Sequence, residues 1–331
     1  MEKIKVIHSG VGGRGAAWTN AVNERNDFLS VAYVDVNKGA MEKAAAISGL
    51  PQEKCFSSLE EALKNVEADC VFVITPPQLH YQQCLQAIET GKHILVEKPF
   101  TLSLKEAKDI VRKGEEKNLK VVVTQNARYS PIYKKLANLI KEETYGKPSF
   151  GLQVNLSWRP GVHHSGKFRH SYLWERSVHD FDTIRSLFNT QPRRVWGYSF
   201  NPSWSPYEHG ACNYTWIEFD DGFIFGIMAG FSAHGKKATF HIECEKGSLD
   251  VVDNQIHLRK PEATEDEVLP IEKGENPEAV LLDGFYKYIT ENIMPPFSGK
   301  ENLKTIALVE ASGAASDEAR IIDFQEYLKE V

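Results

Sequence analysis

Several features are missing from this 331-residue chain, and each absence narrows the reading. No apolar run approaches the roughly 20 residues of a membrane span. There is no long basic block, and 39 Lys and Arg against 45 Asp and Glu leave a formal charge of −6. That balance gives no electrostatic case for nucleic acid or an anionic membrane surface. The five cysteines, Cys55, Cys70, Cys84, Cys212 and Cys244, are odd in number, scattered and without C-x-x-C spacing. A disulfide framework or a structural zinc site is therefore not expected, and the thiols read as reduced. Neither an internal repeat nor a low-complexity segment is present. Met1-Glu2-Lys3 runs straight into a strand pattern rather than a leader, so a cytoplasmic location is expected.

What is present begins with a glycine loop. Ile4 to Ser9 is a short apolar run of strand type, and Ala16 to Val22 has helical period, so Gly10-Val11-Gly12-Gly13-Arg14-Gly15 joins strand to helix. In that context Gly10 allows a tight turn, Gly12 lets a pyrophosphate approach the backbone, and Gly15 lets helix and strand pack closely. A glycine loop of this form also occurs as a plain turn. The added signal is Leu29 to Asp35, a second strand ending in a carboxylate at the spacing where such folds bind an adenosine ribose. Asp35 repels a 2′-phosphate, which favours NAD over NADP, while neighbouring Lys38 partly offsets that repulsion.

Helix and strand signals alternate to about residue 125. Ser58-Leu59-Glu60-Glu61 and Ser103-Leu104-Lys105-Glu106 have capping-box form and open helices. Between them lie continuous apolar runs at 70–74, 93–96 and 121–123, as expected of parallel strands covered on both faces. The fold class expected is α/β, with an N-terminal doubly wound parallel sheet over 1–125. After Pro148 the texture changes to longer strand segments at 149–158, 193–200, 211–219, 222–231 and 237–252. Helix-like stretches fall at Glu175 to Phe188 and near 276–292 and 301–324, and the polar run 262–275 reads as an exposed connection. A second α/β domain over 126–331, built on a large, mostly antiparallel open-faced sheet, is the expectation.

With Gly10–Gly15, Asp35, Thr75-Pro76-Pro77-Gln78-Leu79-His80, Glu97-Lys98-Pro99, and His179 with Asp182 assembled, the chain resembles the glucose-fructose oxidoreductase / inositol dehydrogenase / MocA family over nearly its whole length. The resemblance implies a Rossmann domain that holds NAD(H) or NADP(H), and reversible oxidation of a secondary alcohol on a sugar or cyclitol. It also implies a second domain that binds substrate and forms dimers or tetramers through its open sheet. The positions it points to for the cofactor are Gly10, Val11, Gly12, Gly13, Arg14, Gly15, Asp35, Thr75, Pro76, Pro77, His80, Glu97, Lys98 and Gln125. Lys98 is expected to precede a cis proline.

Oxidising a carbinol needs a base within a hydrogen bond of the hydroxyl. Lys98 sits where the fifth strand ends, at the sheet edge where open α/β folds place ligands. An ordinary lysine is a poor base at neutral pH, but burial and a positive nicotinamide ring both disfavour its charge. Glu175, His179, Asp182 and Ser186 recur at helical spacing and share one face, opposite Val178, Phe181, Ile184 and Leu187. Such a stripe is also what a solvated face looks like. His179 can take and return a proton near neutrality, whereas Glu175 stands where the family places an aspartate, and its role stays open.

The segment 159–170 holds three permanent cations, three histidines and no acid, which suits a loop over a substrate. Arg159, His163, Arg169, Arg128, Trp158, Tyr172 and Asp182 are the candidate substrate contacts, and the charge raises the idea of an anionic sugar. A solvated basic loop is the plain alternative, and acids elsewhere in the fold could neutralise it. A metal held by His163, His164, His170 and Glu175 or His179 is disfavoured, because adjacent histidines chelate one ion poorly. Three function classes follow: an NAD-dependent sugar or polyol dehydrogenase, which is favoured; an NAD-dependent glycosidase or lyase acting through transient oxidation; and a non-catalytic nucleotide sensor.

Overall fold

Strands that are apolar on both faces need helices above and below them, and the first half of the chain supplies both. The computed structural model describes residues 3–162, 164–188 and 190–330. Its first sheet uses β1 (Ile4–Ser9), β2 (Phe28–Val34), β3 (Cys55–Phe56), β4 (Cys70–Val73), β5 (His93–Val96) and β6 (Val121–Val123). All pairings are parallel, in the order β3-β2-β1-β4-β5-β6. The crossovers carry α1 (Arg14–Asn23), α2 (Lys38–Ser48), α3 (Leu59–Asn65), α4 (His80–Glu89) and α5 (Leu104–Glu116). The chain winds outward from β1 and then returns to β4, so the switch point, where such sheets bind ligands, lies between β1 and β4. Ser58 caps α3 as expected, its Oγ accepting from the Glu61 N–H at 3.2 Å. Ser103 precedes α5 without a side-chain cap.

The second sheet has nine strands in the order β14-β13-β12-β11-β7-β10-β9-β8-β15. After α6 (Pro131–Lys141) come β7 (Pro148–Trp158), a π-helical turn Leu173–Ser177 and α7 (Val178–Leu187). Then follow β8 (Pro192–Phe200), β9 (Cys212–Phe219), β10 (Ile224–Gly230), β11 (Ser232–Cys244), β12 (Gly247–Val252), β13 (Gln255–Arg259) and β14 (Glu267–Leu269). The chain ends in α8 (Pro277–Glu291), α9 (Gly299–Glu318), β15 (Ile322–Asp323) and α10 (Phe324–Glu330). Every pairing is antiparallel except β7 with β10.

Side chains alternate across β7: Gly151 and Gln153 are buried, while Phe150 and Leu152 are exposed. Gln153 meets Asp180 of α7, its Nε2 donating to Oδ1 at 2.8 Å, so that face is the covered one. On the other face register places Trp196, Trp216, Gly226 and Leu152 in one row across β8, β9, β10 and β7. The Trp216 ring lies flat over Gly226, where a Cβ would come within 2.8 Å of it.

Four expectations are corrected. The segment 237–252 is two strands, β11 and β12, folded at Glu245-Lys246. The polar run 262–275 contributes β14 to the sheet. The terminal helix stops at Glu318, and β15 and α10 follow it. Most consequentially, the chain divides into Met1–Asn126 with Asn276–Ile306, and Ala127–Glu275 with Ala307–Val331, rather than at residue 125 alone. The cause is the apolar stripe of α8, which buries Leu281, Leu282 and Phe285. Phe285 meets Phe72 of β4 at 6.1 Å between centroids, and Tyr286 meets Phe28 of β2 at 6.1 Å.

Candidate active site

The glycine loop closes on Asp35. Its Oδ2 accepts from the N–H groups of Val11 at 2.9 Å and Gly12 at 3.2 Å, and Oδ1 from Asn37 N–H at 2.8 Å. Gly10 has φ +87°, and a Cβ there would stand 2.4 Å from the Ile74 carbonyl oxygen. A Cβ on Gly15 would meet the Gly10 carbonyl oxygen at 2.1 Å, the close helix–strand packing expected of that glycine. A Cβ on Gly12 would have no neighbour nearer than 3.8 Å. The first turn of α1 carries no acid, and Gly13 offers no side-chain cap. These features fit a dinucleotide, whose pyrophosphate takes the helix start and whose ribose takes Asp35.

Across the switch point, β4 runs into Thr75-Pro76-Pro77 and then α4. Thr75 Oγ1 donates to Gln83 Oε1 at 3.0 Å. His80 is fully buried, with Nε2 2.8 Å from the Thr75 carbonyl and Nδ1 2.9 Å from that of Pro99. Burial pushes its pKa down, against the pull of those carbonyls and of Glu97. Both ring nitrogens thus face backbone carbonyls, and the ring braces Thr75 against the Lys98–Pro99 turn. The peptide Lys98–Pro99 is cis, as expected.

Glu97 is braced in the same way. It is 7% exposed, and its carboxylate accepts from Arg14 Nε at 2.9 Å, Trp18 Nε1 at 3.2 Å and the Lys98 N–H at 2.8 Å. It ties the glycine loop to the strand end that presents Lys98, which is half-buried. Gln125, past the end of β6, is buried, and its amide oxygen and nitrogen have no hydrogen-bond partner among the described residues.

In the second unit α7 is continuous with the π-helical turn that carries Glu175. His179 is half-buried, and Asp182 and Asp180 are buried. Burial raises the Asp180 pKa, while Arg176 and the Gln153 bond pull it the other way. Arg128 and Asp182, both expected at the substrate, bind each other: Nε to Oδ2 and Nη2 to Oδ1, each at 2.6 Å, with side chains 8% and 2% exposed. This bidentate pair pins the turn Ala127–Tyr129 to α7.

The basic loop is largely neutralised within the fold. Arg169 Nη2 donates to Asp317 Oδ1 at 2.6 Å, His170 Nε2 lies 3.3 Å from Asp317 Oδ2, and Arg159 Nη1 lies 3.6 Å from Glu175 Oε1. The uncompensated charge that suggested an anionic substrate is thereby removed for Arg159 and Arg169. Tyr172 is 1% exposed and packs on Phe231 at 4.5 Å, so it is core. Trp158 alternates onto the open face with Phe150 and Leu152, against His234 at 5.1 Å. His163 lies outside the described residues. Sequence reasoning missed Trp18, Gln83 and Glu278, which brace the loop and its neighbours. A tryptophan on a helix face gives no hint that its N–H reaches a carboxylate.

This geometry defines an NAD(P)-binding oxidoreductase. Residues 4–125 match the oxidoreductase family with NAD-binding Rossmann fold. The scyllo-inositol 2-dehydrogenase (NAD(+)) of Bacillus subtilis is 32% identical over 227 residues, covering 66% of this chain and 65% of that protein. Residues 4–125 belong to the glucose-fructose oxidoreductase / inositol dehydrogenase / MocA family. Among solved structures, an oxidoreductase of Desulfitobacterium hafniense described as NADPH-dependent superposes with TM-score 0.89 at 18% identity, over 99% of both chains. The WlbA dehydrogenase of Bordetella pertussis, in complex with NADH and UDP-GlcNAcA, gives 0.83 at 20%, over 97% of this chain and 99% of that one. Both likenesses are of fold. Among the described residues no helix is long and apolar enough to cross a membrane, and no three or more His, Cys, Asp or Glu side chains are grouped to hold a metal ion.

Proposed function

We propose that the chain is an NAD-dependent dehydrogenase that oxidises a secondary alcohol of a sugar, sugar derivative or cyclitol. One observation carries this reading: Lys98 follows β5 at the same carboxyl edge of the parallel sheet as the glycine loop after β1. Bound NAD⁺ would accept hydride from the carbinol carbon. Asp35 would hold the adenosine ribose hydroxyls and disfavour a 2′-phosphate, while the α1 start would hold the pyrophosphate. The unpaired amide of Gln125 is suited to the nicotinamide carboxamide. Lys98, as the neutral amine, would take the hydroxyl proton and become the ammonium, and His179 would serve the same proton transfer as a second base. Glu175 would orient substrate or His179.

The name of the Bacillus subtilis relative supports a polyol as substrate and NAD as cofactor. The exposed Phe150, Leu152, Trp196, Tyr198, Trp216 and Ile224 make an apolar sheet face that a second copy would cover, giving a homodimer or homotetramer. A cytoplasmic location accords with five free cysteines. Calorimetric titration tests the cofactor: NADH should bind at least about tenfold tighter than NADPH, about 1.4 kcal/mol. Equal or tighter NADPH binding rejects the assignment of Asp35.

A further inference from the structure

Arg14 is the first residue of α1, beside the backbone N–H groups that would face a pyrophosphate. It is an obvious cation for that dianion, yet two carboxylates already engage it. Nε donates to Glu97 at 2.9 Å, and Nη2 to Glu278 at 2.6 Å. The guanidinium carbon also sits 5.6 Å from the Trp18 ring centroid. Burial works against the charge on Arg14, and the two glutamates outweigh it, raising its pKa. One cation against two anions leaves the cluster with net negative charge at the mouth of the loop.

The two acids are not equivalent. Glu97 has further donors in Trp18 and the Lys98 N–H, so its carboxylate is fixed. Glu278 comes from the first turn of α8, where Asn276 supplies the cap by accepting from the Glu278 N–H at 2.9 Å. Its side chain is therefore not needed to start the helix. Its one hydrogen bond to Arg14 takes the Nη2 end of the guanidinium, the end farther from the backbone.

We propose that Glu278 restrains dinucleotide affinity by competing with the cofactor's pyrophosphate for the Arg14 guanidinium. This rests on the loop Gly10–Gly15 being the pyrophosphate site. Helix α8 thereby acts on the cofactor site from a part of the chain some 260 residues away in sequence. An ion pair held against a helix N-terminus lowers the attraction that the same cation would offer an incoming phosphate. The gain in speed is on the dissociation side: a dinucleotide that does not fully capture Arg14 leaves sooner, which suits an enzyme that must exchange oxidised for reduced cofactor at each turnover.

The test is titration of NADH into apo protein, followed by energy transfer from tryptophan, for wild type, Glu278→Gln, Arg14→Met and the double variant. Wild-type binding tests the loop assignment by itself: a wild type that binds no NADH rejects that assignment. Given wild-type binding, Glu278→Gln should tighten NADH roughly three- to tenfold, with the gain larger at low ionic strength. In the Arg14→Met background the same substitution should change affinity less than twofold. Unchanged or weaker binding by Glu278→Gln overturns the proposal, and so does a gain that persists without Arg14. Glu278→Ala is a second variant with the same expected sign, and thermal unfolding of each apo variant confirms that the loop is compared in folded protein.

Discussion

Alanine at Gly12 adds a methyl group whose nearest neighbours, Ala40 Cβ and Asp35 Oδ2, both lie at 3.8 Å. That is ordinary contact distance, so folding should be unaffected or stabilised by up to about 1 kcal/mol through the loss of chain entropy in the unfolded state. The same methyl occupies the backbone surface that a pyrophosphate must approach. A displacement of about one ångström there should weaken NADH roughly 100-fold, about 2.7 kcal/mol. Gly15→Ala provides the contrast. Its methyl would stand 2.1 Å from the Gly10 carbonyl oxygen and 2.7 Å from its carbon, both backbone atoms that cannot swing aside. Helix α1 would have to move off β1, at a cost of about 1–3 kcal/mol. Thermal unfolding of the apo protein and NADH titration of both variants separate the two cases. If Gly12→Ala unfolds as early as Gly15→Ala, or binds NADH as wild type does, the dinucleotide reading of this loop is refuted.

Lys98→Met and His179→Ala should each keep NADH binding and lower kcat about 10²-fold or more, with non-additive losses if both serve one proton transfer; near-wild-type turnover removes the residue from the mechanism. Asp182→Asn leaves the Arg128 guanidinium buried without its counter-charge and should cost about 3 kcal/mol in urea unfolding, with the Arg128→Met/Asp182→Asn pair losing less than the sum of the two single changes. Burial lowers the His8 pKa to about 3 from an ordinary 6.5, so below pH 6.5 the unfolded chain takes a proton that the native one refuses. Stability contributed by neutral His8 is thus complete above pH 6.5 and is lost as pH falls toward 3, by up to about 1.4 kcal/mol per unit. His8→Gln should flatten that part of the profile, and an unchanged slope between pH 7 and 5 argues against it.

The parallel sheet was legible because burial on both faces writes itself as uninterrupted apolar runs such as Cys70 to Val73. The glycine loop and Asp35 were legible because each turn position there admits few residue types. Less of the second unit could be read. β11 and β12 merge in sequence because their fold at Glu245-Lys246 contains no proline and its glycine falls one residue later, at Gly247. Short β14 lies in a polar stretch because it is an edge strand with one side unpaired. At the candidate site, residue type marked the right segments but not the partners. Arg128 and Asp182, read separately as substrate contacts, bind each other, and Glu97 and His80, read as cofactor contacts, also brace the backbone around them. Distant partnerships of this kind leave no periodic trace, since each side chain answers to a neighbour dozens of residues away.

The placement of α8 makes the first unit discontinuous along the chain, with Ala127–Glu275 threaded between its two pieces. As the polypeptide leaves the ribosome, the sheet β3-β2-β1-β4-β5-β6 is complete by residue 123, but the Phe285 and Tyr286 rings that cover Phe72 and Phe28 have yet to be made. An intermediate with that apolar surface uncovered must persist while some 150 further residues are synthesised, roughly ten to thirty seconds at ordinary elongation rates. A fragment ending near residue 125 reproduces that intermediate as an end state. Nucleotide-binding pieces cut from this protein should therefore be built by joining residues 1–126 to 276–306 through a short linker, so that the covering helix is delivered with the sheet it protects.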